Sequence, residues 1–398
     1  MNEKSIAYVK GRFAYYYSSH DIELPPRFTK REWAFFYWDG EGMHRPVAFK
    51  KSADVRAFFS KMAPRHAYFS SAYYMNPEAP MEDKVWLGAD LVFDIDADHV
   101  PGCQGLRYED MLRSVKNEIK RLVFDFLMSD FGFDEKHVEV FFSGGRGYHA
   151  HVRDPRVLGL GSAERREIVD YITGRGLNYD TIFPRTHIGV RSAKYGRFVD
   201  KREMPEDSGG WYSRMREGVI KEVERLAEMK KEDVIREFMD VAGIGEKTAL
   251  NLYSALFKEK DGLRGADRIV RENVIDIFPN DRLLNRFLDY IREKVKGKIA
   301  GETDEPVTSD IKRLIRAPGS LHGKTSLCVR RVDLENFDDF DPLMDAVVFG
   351  DKNVEITFTQ DLDIEIRGEK FSFKNGETCD VPEYVAMFAL CRGVAEIK

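Results

Sequence analysis

The run Leu91-Val92-Phe93-Asp94-Ile95-Asp96-Ala97-Asp98 constrains this chain more than any other stretch, because an apolar, strand-forming segment places carboxylates at alternate positions. Alternate side chains of a strand share a face, so Val92, Asp94, Asp96 and Asp98 point one way while Leu91, Phe93 and Ile95 point the other. Neighbouring carboxylates repel, and burying them unpaired is costly; solvent exposure, a shared proton or a divalent cation resolves the conflict. A surface strand with alternating acids is the ordinary alternative. The continuous apolar run Leu91-Val92-Phe93 argues instead for a buried strand, whose end is where α/β sheets place ligands. Oxygen-only ligands suit Mg²⁺ or Mn²⁺, and a pair of such ions at a strand end is a common means of catalysing phosphoryl transfer.

The rest of the chain can build such a core. With 398 residues, 43% hydrophobic and 33% charged, it has material for one large or two ordinary hydrophobic cores. No apolar stretch is long enough to span a bilayer and Met1-Asn2-Glu3-Lys4-Ser5 lacks a secretory pattern, so the expected location is the cytoplasm, or a nucleus in a eukaryotic source. Cys103, Cys328, Cys379 and Cys391 are scattered without a CxxC pair, which speaks against a disulfide framework and a self-evident zinc site. A net charge of −6 counts against a non-specific nucleic-acid binder. The distribution qualifies this: between Ile311 and Val332 lie Lys312, Arg313, Arg316, Lys324, Arg330 and Arg331 and no acid, a local patch suited to a polymer-handling active site.

Hydrophobic spacing divides the chain. Residues 1–90, with Tyr15-Tyr16-Tyr17 and Arg31-Glu32-Trp33-Ala34-Phe35-Phe36, read as a helix and short strands. Leu112, Val115, Ile119, Leu122 and Phe126 predict an amphipathic helix over Tyr108 to Met128, stopped at Gly132. Val138 to Phe142 and Tyr148 to Val152 read as strands around a glycine-rich turn. The character changes near Met204-Pro205; from there to Ala300 the pattern is charged and helical, with a stripe at Leu284, Phe287, Leu288, Ile291 and Val295. Strand pattern returns at Leu327-Cys328-Val329, Val354 to Phe358 and Ile364 to Ile366, before a last helix from Pro382 to Val394. The expected organisation is a discontinuous catalytic domain, 1–204 and 301–398, carrying a helical insertion at 205–300.

Two further elements carry chemistry. In Ser143-Gly144-Gly145-Arg146-Gly147-Tyr148-His149, glycines let backbone N–H groups approach phosphate oxygens, and Ser143, Arg146 and His149 supply donors. A hairpin turn is the plainer reading, but tight hairpins seldom need three glycines with Arg and His. Gly145-x-Gly147-x-x-Ala150 matches a dinucleotide fingerprint loosely, yet a strand follows where that motif needs a helix, and no Walker-type lysine is present. The second element runs from Asp304 to Lys324, where Arg313, Arg316, His322 and Lys324 surround Pro318-Gly319-Ser320 and can bind a triphosphate, with a nearby acid completing a metal site. A solvated basic helix face and loop is its alternative.

Three weaker features accompany these. Ala242-Gly243-Ile244-Gly245-Glu246-Lys247-Thr248 resembles a helix-hairpin-helix turn that contacts DNA phosphates, although such a GxG more often marks only a helix boundary. Arg185 to Arg202, with Tyr195 and Phe198, mixes basic and aromatic residues as single-stranded nucleic-acid surfaces do, or forms a solvated loop. His99 and Cys103 make half of a zinc site without visible partners.

Taken together, FDID, SGGRGYH and RAPGSLHGKT resemble, in order and context, the archaeo-eukaryotic primases, and the chain is similar to their catalytic small subunit of archaeal type over most of its length. The resemblance implies an α+β fold, a mixed-sheet catalytic domain with flanking helices and an all-helical subdomain. Asp94 and Asp96 become the paired metal-binding aspartates and Asp304 the third acid, with Asp310 the competing choice. Nucleotide-phosphate contacts fall on Ser143, Arg146, His149, Arg316, His322 and Lys324. Glu32 and Asp90 sit where some members carry further acids. Many members have a Cys/His zinc knuckle after the DxD; this chain has only His99 and Cys103, so no structural zinc is expected. The implied function is template-directed synthesis of short RNA primers, with DNA as a second product, on single-stranded DNA during replication. The implied cofactors are two Mg²⁺ or Mn²⁺ ions, and the implied partner is a large regulatory subunit with an iron–sulfur cluster. A primase-like repair or translesion polymerase and a catalytically silent nucleic-acid-binding subunit are the rival readings. No residue in the sequence selects between ribonucleotides and deoxynucleotides.

Overall fold

The computed structural model describes residues 1–190, 197–204, 209–259 and 262–398, with backbone alone described over 186–190 and 197–201. The fold is α+β, with helices and antiparallel sheets in two compact units, Met1–Val169 with Glu302–Lys398, and Asp170–Gly301.

Two four-stranded antiparallel sheets form the centre of the first unit. Their strands are numbered here in chain order: β1 (Trp33–Phe36), β2 (His44–Val47), β3 (His66–Ser70), β4 (Leu91–Asp96), β5 (Val138–Phe142), β6 (Gly147–Val152), β7 (Leu314–Arg316) and β8 (Arg330–Val332). The orders are β7-β3-β1-β2 and β8-β5-β6-β4. In the second sheet β4 pairs with β6 in a register that sets Asp94 opposite His149 and Asp96 opposite Gly147. The sheets meet face to face: Val92 of β4 and Ile315 of β7 pack with Val307 in one buried cluster, and the Phe69 and His151 rings lie 6.1 Å apart. Leu91, Phe93 and Ile95 are fully buried on the other face of β4, so burial on both sides fixes its register. Helix Tyr108–Arg121 buries Leu112, Val115 and Ile119, each contributing roughly 1.5–3 kcal/mol. It continues as a π-helical segment, Leu122–Asp130, rather than as one α-helix to Met128.

A buried ionic hub anchors the entrance to β4. Arg31 and Arg153 reach Asp90 at 2.7 and 3.1 Å, and Tyr73 donates its hydroxyl to the same carboxylate. Arg165 donates to the carbonyls of Ala89 and Asp90 at 2.9 and 2.8 Å.

The second unit contains the hairpin Arg185–Val190 with Arg197–Arg202 and the helices Gly210–Ala227, Lys231–Met239, Glu246–Phe257, Gly265–Glu272 and Asp281–Lys294. It therefore begins ahead of residue 205 and includes strands. Leu284, Phe287, Leu288, Ile291 and Val295 are buried, as their spacing predicts. Glu222 accepts from Arg225, Tyr290 and Lys298, and these partners hold its carboxyl down to about 2 despite burial. The Gly301 N–H donates to the Ile172 carbonyl at 3.0 Å, joining the two ends of the unit. No helix among the described residues is long and apolar enough to cross a membrane.

The strand expected at Leu327-Cys328-Val329 is a loop. Ser326 adopts φ +62 and Cys328 makes only an isolated bridge to Leu321, so pairing with β5 starts at Arg330. Trp33–Phe36, Asn353–Phe358, Leu362–Ile366 and Glu383–Arg392 form where their patterns place them.

Candidate active site

A cleft of about 830 Å³ opens where the ends of the two sheets meet, and it gathers residues from widely separated parts of the chain. Asp94 and Asp96 line it from β4; Ser143, Arg146 and His149 line it from the β5–β6 turn. Arg316, His322 and Lys324 come from β7 and the loop after it.

Asp304 stands beside the aspartate strand. Its N–H donates to the Asp94 carbonyl at 3.0 Å, and its carboxylate lies 4.0 Å from His99 Nδ1. Burial, then Asp96, then Asp304 push the Asp94 carboxyl up to about 7, with Arg313 and Arg316 opposing. Asp310 is not among these neighbours; its carboxylate accepts the Lys312 N–H at 2.8 Å within its own loop. The geometry thus groups Asp304 with the paired aspartates.

The glycine turn is built for close approach. Its ends are closed by Ser143 N–H to the Gly147 carbonyl at 2.9 Å. A Cβ on Gly147 would lie 2.5 Å from the Ile95 carbonyl oxygen, and one on Gly144, at φ +75, would lie 2.8 Å from His322 Cβ. The N–H groups of Gly145 and Gly147 both point at Ser143 Oγ, 3.3 Å away, so the turn satisfies these donors internally. That differs from a cradle of free N–H groups, and leaves the side chains as the donors this turn presents. Arg146 bridges Asp96, at 3.2 Å, and Asp98, while His149 Nε2 lies 3.4 Å from Asp94 Oδ1. Burial, followed by the Arg316 charge, lowers His149 to about 3, so the ring is neutral.

The basic wall holds two residues that sequence reasoning missed. His66 Nδ1 accepts from Arg316 Nη1 at 2.9 Å and from the Gly323 N–H at 3.3 Å. Both contacts are donors, which leaves Nδ1 unprotonated. Burial and the cations Arg316, Arg65 and Lys324 keep His66 neutral, at about 2. Arg316 is also stacked over Tyr68, 5.0 Å from the ring centre. The other is Thr325, whose hydroxyl donates to the Gly144 carbonyl and whose Oγ1 lies 3.1 Å from His322 Nδ1. Thr325 thus ties the late loop to the glycine turn.

The remaining candidates lie elsewhere. Glu32 is buried with Arg45 at 2.6 Å and Lys84 at 3.4 Å, and Asp90 belongs to the hub beneath β4; neither lines the cleft. Cys103 is buried, with its thiol against Ser114, whereas His99 is half-exposed beside Asp304. Tyr195 of the basic-aromatic segment lies outside the described residues.

The donor set suits a hard divalent cation, since the acids offer only oxygen and Asp94 carries the cost of two like-charged neighbours. Among the described residues no three His, Cys, Asp or Glu side chains close into a preformed metal cage. Mg²⁺ commonly takes part of its octahedron from water and substrate phosphates, so an open carboxylate set fits it.

Comparison with known proteins decides the family. The sequence pattern of the family described as DNA primase small subunit matches residues 93–334. The chain belongs to this family. The DNA primase small subunit PriS of Methanothrix thermoacetophila is 41% identical over the whole of both chains. PriS of Methanococcoides burtonii is 41% identical, and that of Halobacterium salinarum 38%, over all of this chain and 99% of theirs. These relatives are archaeal, and the small-subunit primase family implies a nucleotidyltransferase-type activity within a primase complex. The matched span of this primase small subunit runs from the aspartate strand through the His322 loop, and so contains every lining side chain of the cleft named above except Arg65 and Tyr68; His66, behind Arg316, also lies outside it.

Proposed function

We propose that this chain synthesises primers de novo on a single-stranded DNA template during replication, joining the 3′-hydroxyl of one nucleotide to the α-phosphate of the next. The observation that supports this is one cleft lined both by the acids Asp94 and Asp96 and by the basic side chains Arg316, His322 and Lys324, with Asp304 outside the lining but bonded through its backbone to Asp94. Asp94, Asp96 and Asp304 would hold Mg²⁺ or Mn²⁺, which would supply polarisation of the attacking oxygen and neutralisation of the phosphate charge. Arg316, held by His66 and Tyr68, grips the triphosphate with Lys324, His322 and Arg146. As the 3′-hydroxyl, giving up its proton to water, bonds to the α-phosphorus, the bond to the β-phosphate oxygen breaks; Arg316, Lys324 and Arg146 stabilise the charge gathering on pyrophosphate, with His322, kept neutral by burial, as a hydrogen-bonding partner. Ser143 holds the glycine turn closed and so fixes Arg146 and His149.

In this reading the products are short RNA primers, with deoxynucleotides as the second substrate class. The enzyme works in the cytoplasm with a large regulatory subunit that carries an iron–sulfur cluster. It holds no structural zinc, in keeping with the separate surroundings of His99 and Cys103. Incubating the protein with an unprimed single-stranded template, nucleoside triphosphates and Mn²⁺ tests the reading: new short products are expected. Extension of supplied ends alone would indicate a repair-type polymerase, and Mg²⁺-independent strand binding alone a silent subunit. One tightly held zinc per chain after chelator washing would refute the zinc statement.

A further inference from the structure

A second cavity, of about 1140 Å³, lies wholly within the Asp170–Gly301 unit. Among the described residues five cations line it, Lys247, Lys258, Arg268, Arg282 and Arg286, against a single acid, Glu259. Arg268 pairs with Glu272 at 3.2 Å and Arg286 with Asp289 at 3.1 Å. Lys247, Lys258 and Arg282 have no acidic partner within 4.0 Å among the described residues. A concave surface with this much uncompensated charge concentrates anions. The charge is also spread over three helices, Glu246–Phe257 with its cap Lys258, Gly265–Glu272 and Asp281–Lys294. One phosphate cannot meet all of it.

Backbone donors add to the same surface. Gly243 lines the cavity at φ +82, and a Cβ there would lie 2.8 Å from Arg286 Nη1, so only glycine lets this guanidinium sit against the turn. Gly245 then caps the 12-residue helix Glu246–Phe257 without any side-chain hydrogen bond, and Lys247 and Thr248 of its first turn face the cavity. Among the described residues none that lines the cavity is aromatic, so these residues offer no platform on which a base could stack.

We infer that this cavity binds the phosphodiester backbone of a single-stranded nucleic acid without reading its bases. Several dispersed cations suit a repeating polyanion, and the missing stacking platform disfavours a mononucleotide. The inference rests on the proposed primase reading for where such a strand comes from, namely the template or its growing product; the site itself is separate from the carboxylate cleft.

The test measures anisotropy of a labelled oligo(dT) on the full chain in chelator, a readout that does not require catalysis. Lys247→Ala/Lys258→Ala/Arg282→Ala should weaken binding about tenfold and flatten the slope of log affinity against log salt by about 2. Lys221→Ala/Arg236→Ala, which removes exposed cations that do not line the cavity, should change neither. Thermal midpoints of both variants report folding. The charge reversal Lys247→Glu/Arg282→Glu should weaken binding further. Unchanged affinity and slope in the triple variant overturn the inference, as does a loss of inorganic triphosphate binding with strand binding retained. A protein that binds strands this way but makes no primers would overturn the proposed function and leave this site standing.

Discussion

The backbone N–H of Asp304 donates to the backbone carbonyl of Asp94 at 3.0 Å, so Asp304 is placed by main chain rather than by its side chain. Substituting either carboxylate should therefore leave the local backbone in place. Asp94→Asn and Asp304→Asn are expected to lower nucleotide incorporation at least about a hundredfold, as loss of charge-handling groups in active sites does. Asp310→Asn should stay within about threefold of the parent. Because Asp94 bears the repulsion of Asp96 and Asp304, Asp94→Asn should also raise the thermal midpoint at pH 8 by about 2–4 °C. Incorporation assays and calorimetry on the three variants check both statements.

His66 acts through Arg316. In His66→Phe the guanidinium loses its 2.9 Å acceptor while the strand keeps an aromatic ring. One lost charge-assisted bond corresponds to about a tenfold rise in nucleotide KM, with kcat little changed. Equal losses in kcat and kcat/KM would show that His66 acts in the transition state instead.

Asp90 supports the site from below. Asp90→Asn removes the charge that two buried arginines face, and destabilisation of about 3–5 kcal/mol is expected. Urea unfolding measures this. Activity per folded molecule should remain near that of the parent, since Asp90 does not line the cleft.

Acid sensitivity follows from the buried histidines. Burial, then the neighbouring His149, lowers His151 to about 3. The unfolded chain takes up its proton near pH 6.5, so between that pH and about 3 the unfolded state binds more protons. Stability therefore falls as pH falls through this window, by about 1.4 kcal/mol per pH unit for each such histidine, and is unaffected above it. His151→Phe, among the rings of Phe69 and Phe141, should reduce the slope of unfolding free energy between pH 6.5 and 4 by about that amount.

What the sequence revealed depended on whether the cause was local. Leu91 to Asp96 was legible because burial on both faces leaves a continuous apolar run, interrupted only where the acids reach the cleft. The glycine turn was legible as a motif, yet its reason was not. Gly144 and Gly147 yield space to His322 and to the Ile95 carbonyl, contacts that spacing along the chain does not encode. Asp304 and Asp310 look alike in sequence and are separated by one hydrogen bond to a distant strand. His66 sits among aromatics that read as core, and its partner Arg316 is 250 positions away. Glu32 and Asp90 had the right composition for a site, but the fold sets them against arginine and lysine partners, outside the lining of the cleft.

The bond between Gly301 and Ile172 bears on how an excursion of about 130 residues can interrupt a catalytic layer. A disordered segment of that length would cost closure entropy that grows with the logarithm of its size. An insert whose own folding brings its two ends together presents the host with a gap already spanned, and the polymer cost is borne inside the insert. The catalytic half can then accommodate this unit as it would a short turn. Replacing the unit with a few glycines and serines between Val169 and Glu302 should leave the surrounding sheets able to form.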